Sequence, residues 1–311
     1  MARVLVLGGA HIDRRATLDG ATVPGASNPG RWHEEAGGGG FNAARIMARL
    51  DNAVSMVSVR GGDAAAEIVA TAVEAAGIVD MAQVFLDRRT PSYSAVLEAD
   101  GNLHIAVADM DLYDRFVYRQ LSRKSIRQAV AAADLVLCDA NLPEQTLAAL
   151  ARMTHENRTK LAAIAISPAK VGKLTPAFAH MSVIFMNAAE AVALCGDIPP
   201  ENWPQELRKM GIARASISRG KDPLLAYDDD DVFQIRPLPI DAIVDVTGAG
   251  DTLAAASLHA YLAGYSFRDA LRYGTAAAGL TIQSREAAPA HLNEHKITEV
   301  LQNVPPAQPL P

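Results

Sequence analysis

Val4-Leu5-Val6-Leu7 is an unbroken apolar run that stops at Gly8-Gly9, the pattern of a strand buried on both faces. Helical periodicity is then missing from Arg14 to Gly40, a stretch rich in Gly, Pro, Asn and Thr. It starts at Asn42–Leu50, where apolar positions recur at helical spacing. Val54–Val59 predicts a strand, and Ala64–Ala76 a helix stopped by Gly77. Two alternating runs, Thr90–Glu98 and Leu103–Val107, flank Asp100-Gly101 and predict a hairpin. Residues 14–36 and 90–108 together are expected to form a small β lid on the main body.

Beyond residue 120 the pattern becomes regular. Helices are predicted at Ile126–Ala133, Glu144–Met153, Ala188–Leu194 and Pro204–Met210, with strands at Leu135–Cys138, Leu161–Ile166, Val183–Met186 and Ala215–Ser218. Such alternation predicts an α/β fold: an open, mostly parallel sheet with helices on both faces. A hairpin around Asp228–Asp231 follows, then two Ala-rich helices at roughly 249–263 and 267–283. The four adjacent aspartates read as a hydrated hairpin tip rather than a cation site. The Pro-rich tail from Val304 is expected to fray. No internal repeat divides the chain, and residues 1–311 are expected to form one domain.

Composition narrows the function more than the fold. The 311 residues are 50% hydrophobic and 21% charged, which excludes wholesale disorder. Lys and Arg total 29 against 35 Asp and Glu, a net charge of −6, so the chain is not built to coat nucleic acid or an anionic membrane. An anionic ligand must be held by local devices such as backbone amides. Cys138 and Cys195 make no disulfide framework or metal site, and the apolar run at the N-terminus is too short for a signal peptide. A cytoplasmic location is expected.

The chemistry concentrates in Asp245-Val246-Thr247-Gly248-Ala249-Gly250-Asp251, at the mouth of an Ala-rich helix. Gly248, Ala249 and Gly250 are small enough for backbone N–H groups to converge on one point, where the helix terminus adds partial positive charge. That is an anion hole suited to a phosphoryl group in transfer. Asp251, in the first turn beside it, is placed to accept a proton from an attacking alcohol. The same residues also read as a simple helix start capped by Thr247 or Asp251.

A second motif lies some 200 residues upstream: Gly37-Gly38-Gly39-Gly40-Phe41-Asn42-Ala43-Ala44. In that order the two motifs resemble those of the PfkB carbohydrate kinase family, which has the ribokinase-like fold, and the resemblance runs over nearly the whole chain. It implies ATP as phosphoryl donor, Mg2+ as cofactor and a sugar or nucleoside as acceptor. Asp13, with Gly38, Gly40 and Asn42, would form the wall that binds the acceptor's hydroxyls. Asn187 and Glu190 look like the family's Asn-x-x-Glu motif, which organises magnesium and phosphate; they also read as a helix capping box. Ser218 and Gly220, with Thr247, fall on the nucleotide side, and Asp245 and Thr247 match positions that hold a monovalent cation such as K+ in many relatives. The family's lid sheets often pair between subunits, which implies a homodimer through the lid.

Shorter matches resemble pseudouridine kinase within the family: Ser27-Asn28-Pro29-Gly30, Thr90-Pro91-Ser92-Tyr93, Asp109-Met110 and Asp139-Ala140-Asn141-Leu142. They imply the 5′-hydroxyl of pseudouridine as acceptor, with ribose or another nucleoside or sugar as the alternative. Three departures concern donor and acceptor preference more than the reaction: Pro223 where the nucleotide loop usually has glycine, Ser167-Pro168 in place of Asp-Pro, and Phe185-Met186 in place of Lys-Pro. A Rossmann dehydrogenase would need its glycine fingerprint directly after the first strand, and a P-loop kinase its Gly-Lys-Ser/Thr; neither is present. A non-catalytic nucleoside-binding regulator has no chemical need for Asp251, the anion hole and Asn187/Glu190 together.

Overall fold

The computed structural model describes residues 1–229, 231–240 and 242–310. The chain opens with β1 (Arg3–Leu7), β2 (His11–Leu18) and β3 (Gly30–Gly37), then helix α1 (Gly39–Arg49). There follow β4 (Ala53–Val57), β5 (Val59–Gly61), α2 (Ala64–Ala75), β6 (Val79–Asp80), β7 (Gln83–Phe85), β8 (Ser92–Leu97) and β9 (Leu103–Asp109). The middle alternates through α3 (Lys124–Ala132), β10 (Leu135–Asp139), α4 (Glu144–Asn157), β11 (Lys160–Ile164), β12 (Val183–Asn187), α5 (Ala188–Cys195), α6 (Trp203–Lys209) and β13 (Ala215–Arg219). The last part holds β14 (Asp222–Tyr227), β15 (Val232–Ile235), α7 (Ala249–Leu262), α8 (Phe267–Thr281), α9 (Glu294–Leu301) and β16 (Gln308–Pro309).

The main sheet runs β16-β15-β14-β13-β12-β11-β10-β1-β4-β6. It is parallel from β6 to β13, and β14 to β16 add an antiparallel edge. Alternation along each strand separates two cores: Val4 and Val6 face one, Leu5 and Leu7 the other. Helices α1, α2, α7, α8 and α9 cover the first face, and α3 to α6 the second. This is the ribokinase-like α/β arrangement, and the continuous apolar runs are what a sheet covered on both sides requires. Strands β3-β2-β8-β9 form a separate four-stranded sheet from the two lid segments. Among the described residues no helix is long and apolar enough to cross a membrane.

Several local expectations change. The single strand expected over Val54–Val59 is two, because the chain leaves the main sheet at Ser58. Its hydroxyl accepts from Ala10 N and its carbonyl from Gln83 N, and β5 pairs with β7 instead. The strand expected to reach Ile166 ends at Ile164. The aspartate hairpin is not merely hydrated: Asp229 pairs with Arg214 and Asp231 with Arg268, while Asp230 lies outside the described residues.

The tail does not fray. Gln308–Pro309 pairs antiparallel with β15, and Leu310 N donates to Val232 O at 3.1 Å. A strand at the sheet's edge tolerates proline's missing N–H. Val304 is buried, and Arg272 donates to the carbonyls of Val304 and Pro305. Pro311 lies outside the described residues. Burying one valine and keeping two side-chain hydrogen bonds together stabilise by about 2–4 kcal/mol. Deleting residues 304–311 is therefore expected to lower Tm by several degrees in a thermal melt, and an unchanged Tm would return the tail to a frayed appendage.

Candidate active site

The strand order reverses between β1 and β10: one side continues to β4 and β6, the other to β11, β12 and β13. In an open α/β sheet the loops leaving such a pair diverge and open a crevice at the strands' carboxyl ends. Asp139, the last residue of β10, is completely buried there. Its Oδ2 accepts from Gly9 N at 2.7 Å and Gly40 N at 3.0 Å, and its Oδ1 from Asn141 N at 2.9 Å. Three backbone donors offset what burying a carboxylate costs in lost hydration. The end of β1, the first turn of α1 and the loop after β10 are thereby joined at one side chain.

Glycine is needed where these segments meet. Gly38 holds φ at +105°, and a Cβ there would stand 2.6 Å from Gly9 O. Gly40, expected in the acceptor wall, gives its N–H to Asp139, so what it leaves to a ligand is an absent side chain. Asp13, on β2, lies 3.3 Å from His11 Nε2, and His11 Nδ1 lies 3.0 Å from the Tyr113 hydroxyl. With Nε2–H donating to Asp13, Nδ1 accepts from the Tyr113 O–H. Neither His11 nor Tyr113 was singled out by motif.

Helices α1 and α7 carry the two motifs and meet in this crevice. Asn42 Nδ2 donates to Asp251 Oδ2 at 2.9 Å, and Arg45 Nη2 donates to Asn42 Oδ1 at 2.6 Å. Residues 209 positions apart are thus in direct contact. Burial pushes the Asp251 carboxyl up to about 7; the Asn42 hydrogen bond opposes the rise and the negative charge of Asp139 adds to it. Gly248, the residue before α7, holds φ at +77° and packs so closely on Ala287 that a side chain would collide with its carbonyl. Ala249 N bonds Val246 O at 3.3 Å, closing the turn, and nothing lies within 4 Å of where a Gly250 side chain would stand. The mouth of α7 therefore opens onto free space beside Asp251.

Asn187 and Ser218 stand side by side as register partners across β12 and β13. Asn187 starts α5 in a capping box: its N and Nδ2 donate to the two Glu190 oxygens at 2.7 and 3.0 Å, while Glu190 N donates to Asn187 Oδ1. Burial raises the Glu190 pKa, and the Asn187 bonds oppose this. Gly220 makes the tight β13–β14 turn at φ +63°. Pro223 falls within β14 at a register shift, where Pro223 and Leu224 stand opposite the single residue Ser218 of β13. Such an irregularity accommodates a residue without N–H, and Arg219 Nε donates to the Pro223 carbonyl at 2.7 Å. Among the described residues no three His, Cys, Asp or Glu side chains converge as a metal cage. Mg2+ characteristically keeps its waters and shares one or two carboxylates with substrate phosphates, and Glu190 fits that outer role.

Asp245 is engaged differently from its expected part in a cation site. Arg15 Nη1, from lid strand β2, lies 3.2 Å from its Oδ2, and Thr247 N donates to Oδ1 at 2.8 Å. Burial favours a raised pKa, but the Thr247 bonds and Arg15 outweigh it and hold the Asp245 carboxyl below its usual range. A monovalent cation at this carboxylate would compete with the guanidinium. One strained residue also escaped the sequence reading. Ile166 holds φ at +70°, rare for a β-branched residue, with Ser167 N bonded to Ala165 O, and it packs against Gly39 beside Asp251.

The model of the pfkB family carbohydrate kinases matches residues 1–293. The chain belongs to that family. A carbohydrate kinase from Agrobacterium tumefaciens is 49% identical, with a TM-score of 0.91 and full coverage of both chains. The pseudouridine kinase of Escherichia coli is 22% identical over 307 residues, 96% of each chain. Ribokinase of Arabidopsis thaliana, solved with ribose and ATP, superposes with a TM-score of 0.83 at 22% identity, covering 97% of this chain and 99% of its own. The protein is a phosphotransferase of the sugar and nucleoside kinase class.

For this kinase the environment of Asp251 makes a direct prediction. Its carboxyl should titrate near pH 7 by NMR of the labelled side chain. Asn42→Ala should raise that value further by removing the opposing hydrogen bond. A wild-type titration near 4 would contradict the site electrostatics.

Proposed function

We propose that this kinase transfers the γ-phosphoryl group of ATP to a hydroxymethyl hydroxyl of a nucleoside, the 5′-hydroxyl of pseudouridine. Asp251 carries the reading: a carboxylate near neutrality, hydrogen-bonded to the acceptor wall through Asn42 and set beside the open mouth of α7. As the acceptor oxygen bonds to the γ-phosphorus and the bond to the ADP oxygen breaks, Asp251 takes the hydroxyl proton. The N–H groups at the start of α7 around Gly248 and Gly250 stabilise the charge growing on the transferred oxygens, whereas Ala249, whose N–H closes the turn on Val246 O, contributes its small size. Asp13, Gly38 and Asn42 orient the acceptor. Ser218, Gly220 and Thr247 line the nucleotide side, and Asn187 and Glu190 would hold Mg2+ through its waters; the ion would supply neutralisation of phosphate charge. At Asp245 the Arg15 pair supports an anchor between lid and body ahead of a K+ ligand.

Support for pseudouridine comes from the similarity to the Escherichia coli enzyme and from the short matches around the lid and Asp139. The ribokinase solved with ribose and ATP supports ATP as donor and makes ribose the second reading. The lid's outer strand β9 leaves Leu103, Ile105 and Val107 exposed, and Trp32 is exposed on β3. An apolar edge of that kind supports a homodimer through the lid of a single-domain, cytoplasmic enzyme.

The decisive assay measures phosphorylation by ATP and Mg2+ of pseudouridine, uridine, adenosine, ribose, fructose and fructose 6-phosphate. Pseudouridine is expected to give the highest kcat/KM. Asp251→Asn is expected to lower kcat by roughly 10² or more with ATP binding unchanged. In wild type, activity should fall as pH drops through about 7, because Asp251 is then protonated and cannot accept the proton. Preference for ribose or adenosine would overturn the acceptor, near-normal turnover by Asp251→Asn would overturn the base, and no turnover at all would favour a binding regulator.

A further inference from the structure

Two residues beyond Asp139, the Asn141 side chain is 3% exposed, and its Oδ1 accepts from Lys170 Nζ at 2.6 Å. An ammonium only donates, so the contact identifies which end of the amide is oxygen. The other end, Nδ2, is buried against Gly9 and has no hydrogen-bond partner. A buried amide with a spare N–H is costly, and its one side-chain polar contact is the lysine. Lys170 itself is half-buried and, among the described residues, has no carboxylate within ion-pair distance. Burial lowers its pKa, while the charges of Asp139 and Asp114 raise it and Lys173 lowers it further. The ammonium is therefore fixed at the carboxyl end of the crevice, with N–H groups left to donate.

We infer that Lys170, positioned by Asn141, is a specificity determinant that donates to a carbonyl oxygen on the acceptor's base, at the end remote from the reacting hydroxyl. This rests on the nucleoside reading above. The site favours a neutral oxygen over a phosphate because the charges of Asp139 and Asp114 offset those of the ammonium and of its neighbour Lys173. Ribose, which has no base, gains nothing from Lys170. Pseudouridine and uridine carry carbonyl groups and do.

The test measures kcat and KM for pseudouridine, uridine and ribose at saturating ATP in wild type, Lys170→Met, Asn141→Ala and the double variant. Lys170→Met is expected to lower kcat/KM for the carbonyl-bearing nucleosides by about 20-fold or more through KM, leaving kcat, ribose turnover and the ATP KM within about 3-fold. Asn141→Ala should show a smaller loss of the same kind, and the double variant should be no worse than Lys170→Met, because Asn141 acts through the lysine. Melting curves of each variant control for folding, and Lys170→Met alone suffices if Asn141→Ala unfolds. Equal losses on ribose and nucleosides, or no loss, overturn this assignment alone. Wild type that phosphorylates ribose and no nucleoside overturns the acceptor reading and this assignment with it.

Discussion

The site depends on a buried carboxylate that needs partners. Asp139 sits buried at the end of a central strand, and among the described residues its hydrogen-bond donors are three backbone N–H groups, those of Gly9, Gly40 and Asn141. A carboxylate so placed tolerates little displacement of its donors, because each lost bond leaves charge unsolvated. It also dictates residue size around it. A Cβ on Gly8 would come within 2.5 Å of Asp139 Oδ2, and one on Gly40 within 3.0 Å. The glycines at the end of β1 and the start of α1 are thus the walls of a socket, as well as openings for a ligand.

From that socket the catalytic geometry follows. Fixing the first turn of α1 fixes Asn42, which reaches across to Asp251 on α7; Arg45 holds the far side of the same amide. The two helices arrive from opposite ends of the sequence and pack on one face of the sheet. Their contact brings Asn42, in the proposed acceptor wall, against Asp251 at the start of α7. That carboxylate is raised toward neutrality by burial, and that environment suits proton transfer. On the lid side, Arg15 ties β2 to Asp245, so the lid and the segment preceding α7 are joined by charge.

Much of this was legible from the chain. The βα alternation and the lid hairpin follow from periodicity, and Gly248–Gly250 with Asp251 from small residues at a helix mouth, whereas the motif around Gly38, Gly40 and Asn42 stood out through the resemblance to the PfkB family. That Asn42 and Asp251 touch was not legible, because periodicity says nothing of how two distant helices cross. Asp139, just beyond the strand expected over Leu135–Cys138, figures only in a short subfamily match, for a lone aspartate after an apolar run carries no sign of its donors. Arg15 read as a lid residue until the fold set it against Asp245. Ile166 continued an apolar strand pattern, although Pro168 two residues on signals a turn. The tail failed for the opposite reason: proline-rich composition reads as frayed, yet an edge strand accepts prolines that a central strand would exclude.

The central claim is that Asp139 aligns the acceptor wall with Asp251 and leaves the nucleotide side alone. The most direct test is the acceptor kcat/KM of Asp139→Asn, measured beside its ATP KM. The amide turns an N–H toward donors that need an acceptor, so the loss should fall on the wall. The account predicts a fall of about 10² or more in acceptor kcat/KM with the ATP KM within a few-fold of wild type. An acceptor kcat/KM that stays close to wild type, or a loss confined to ATP, would contradict it.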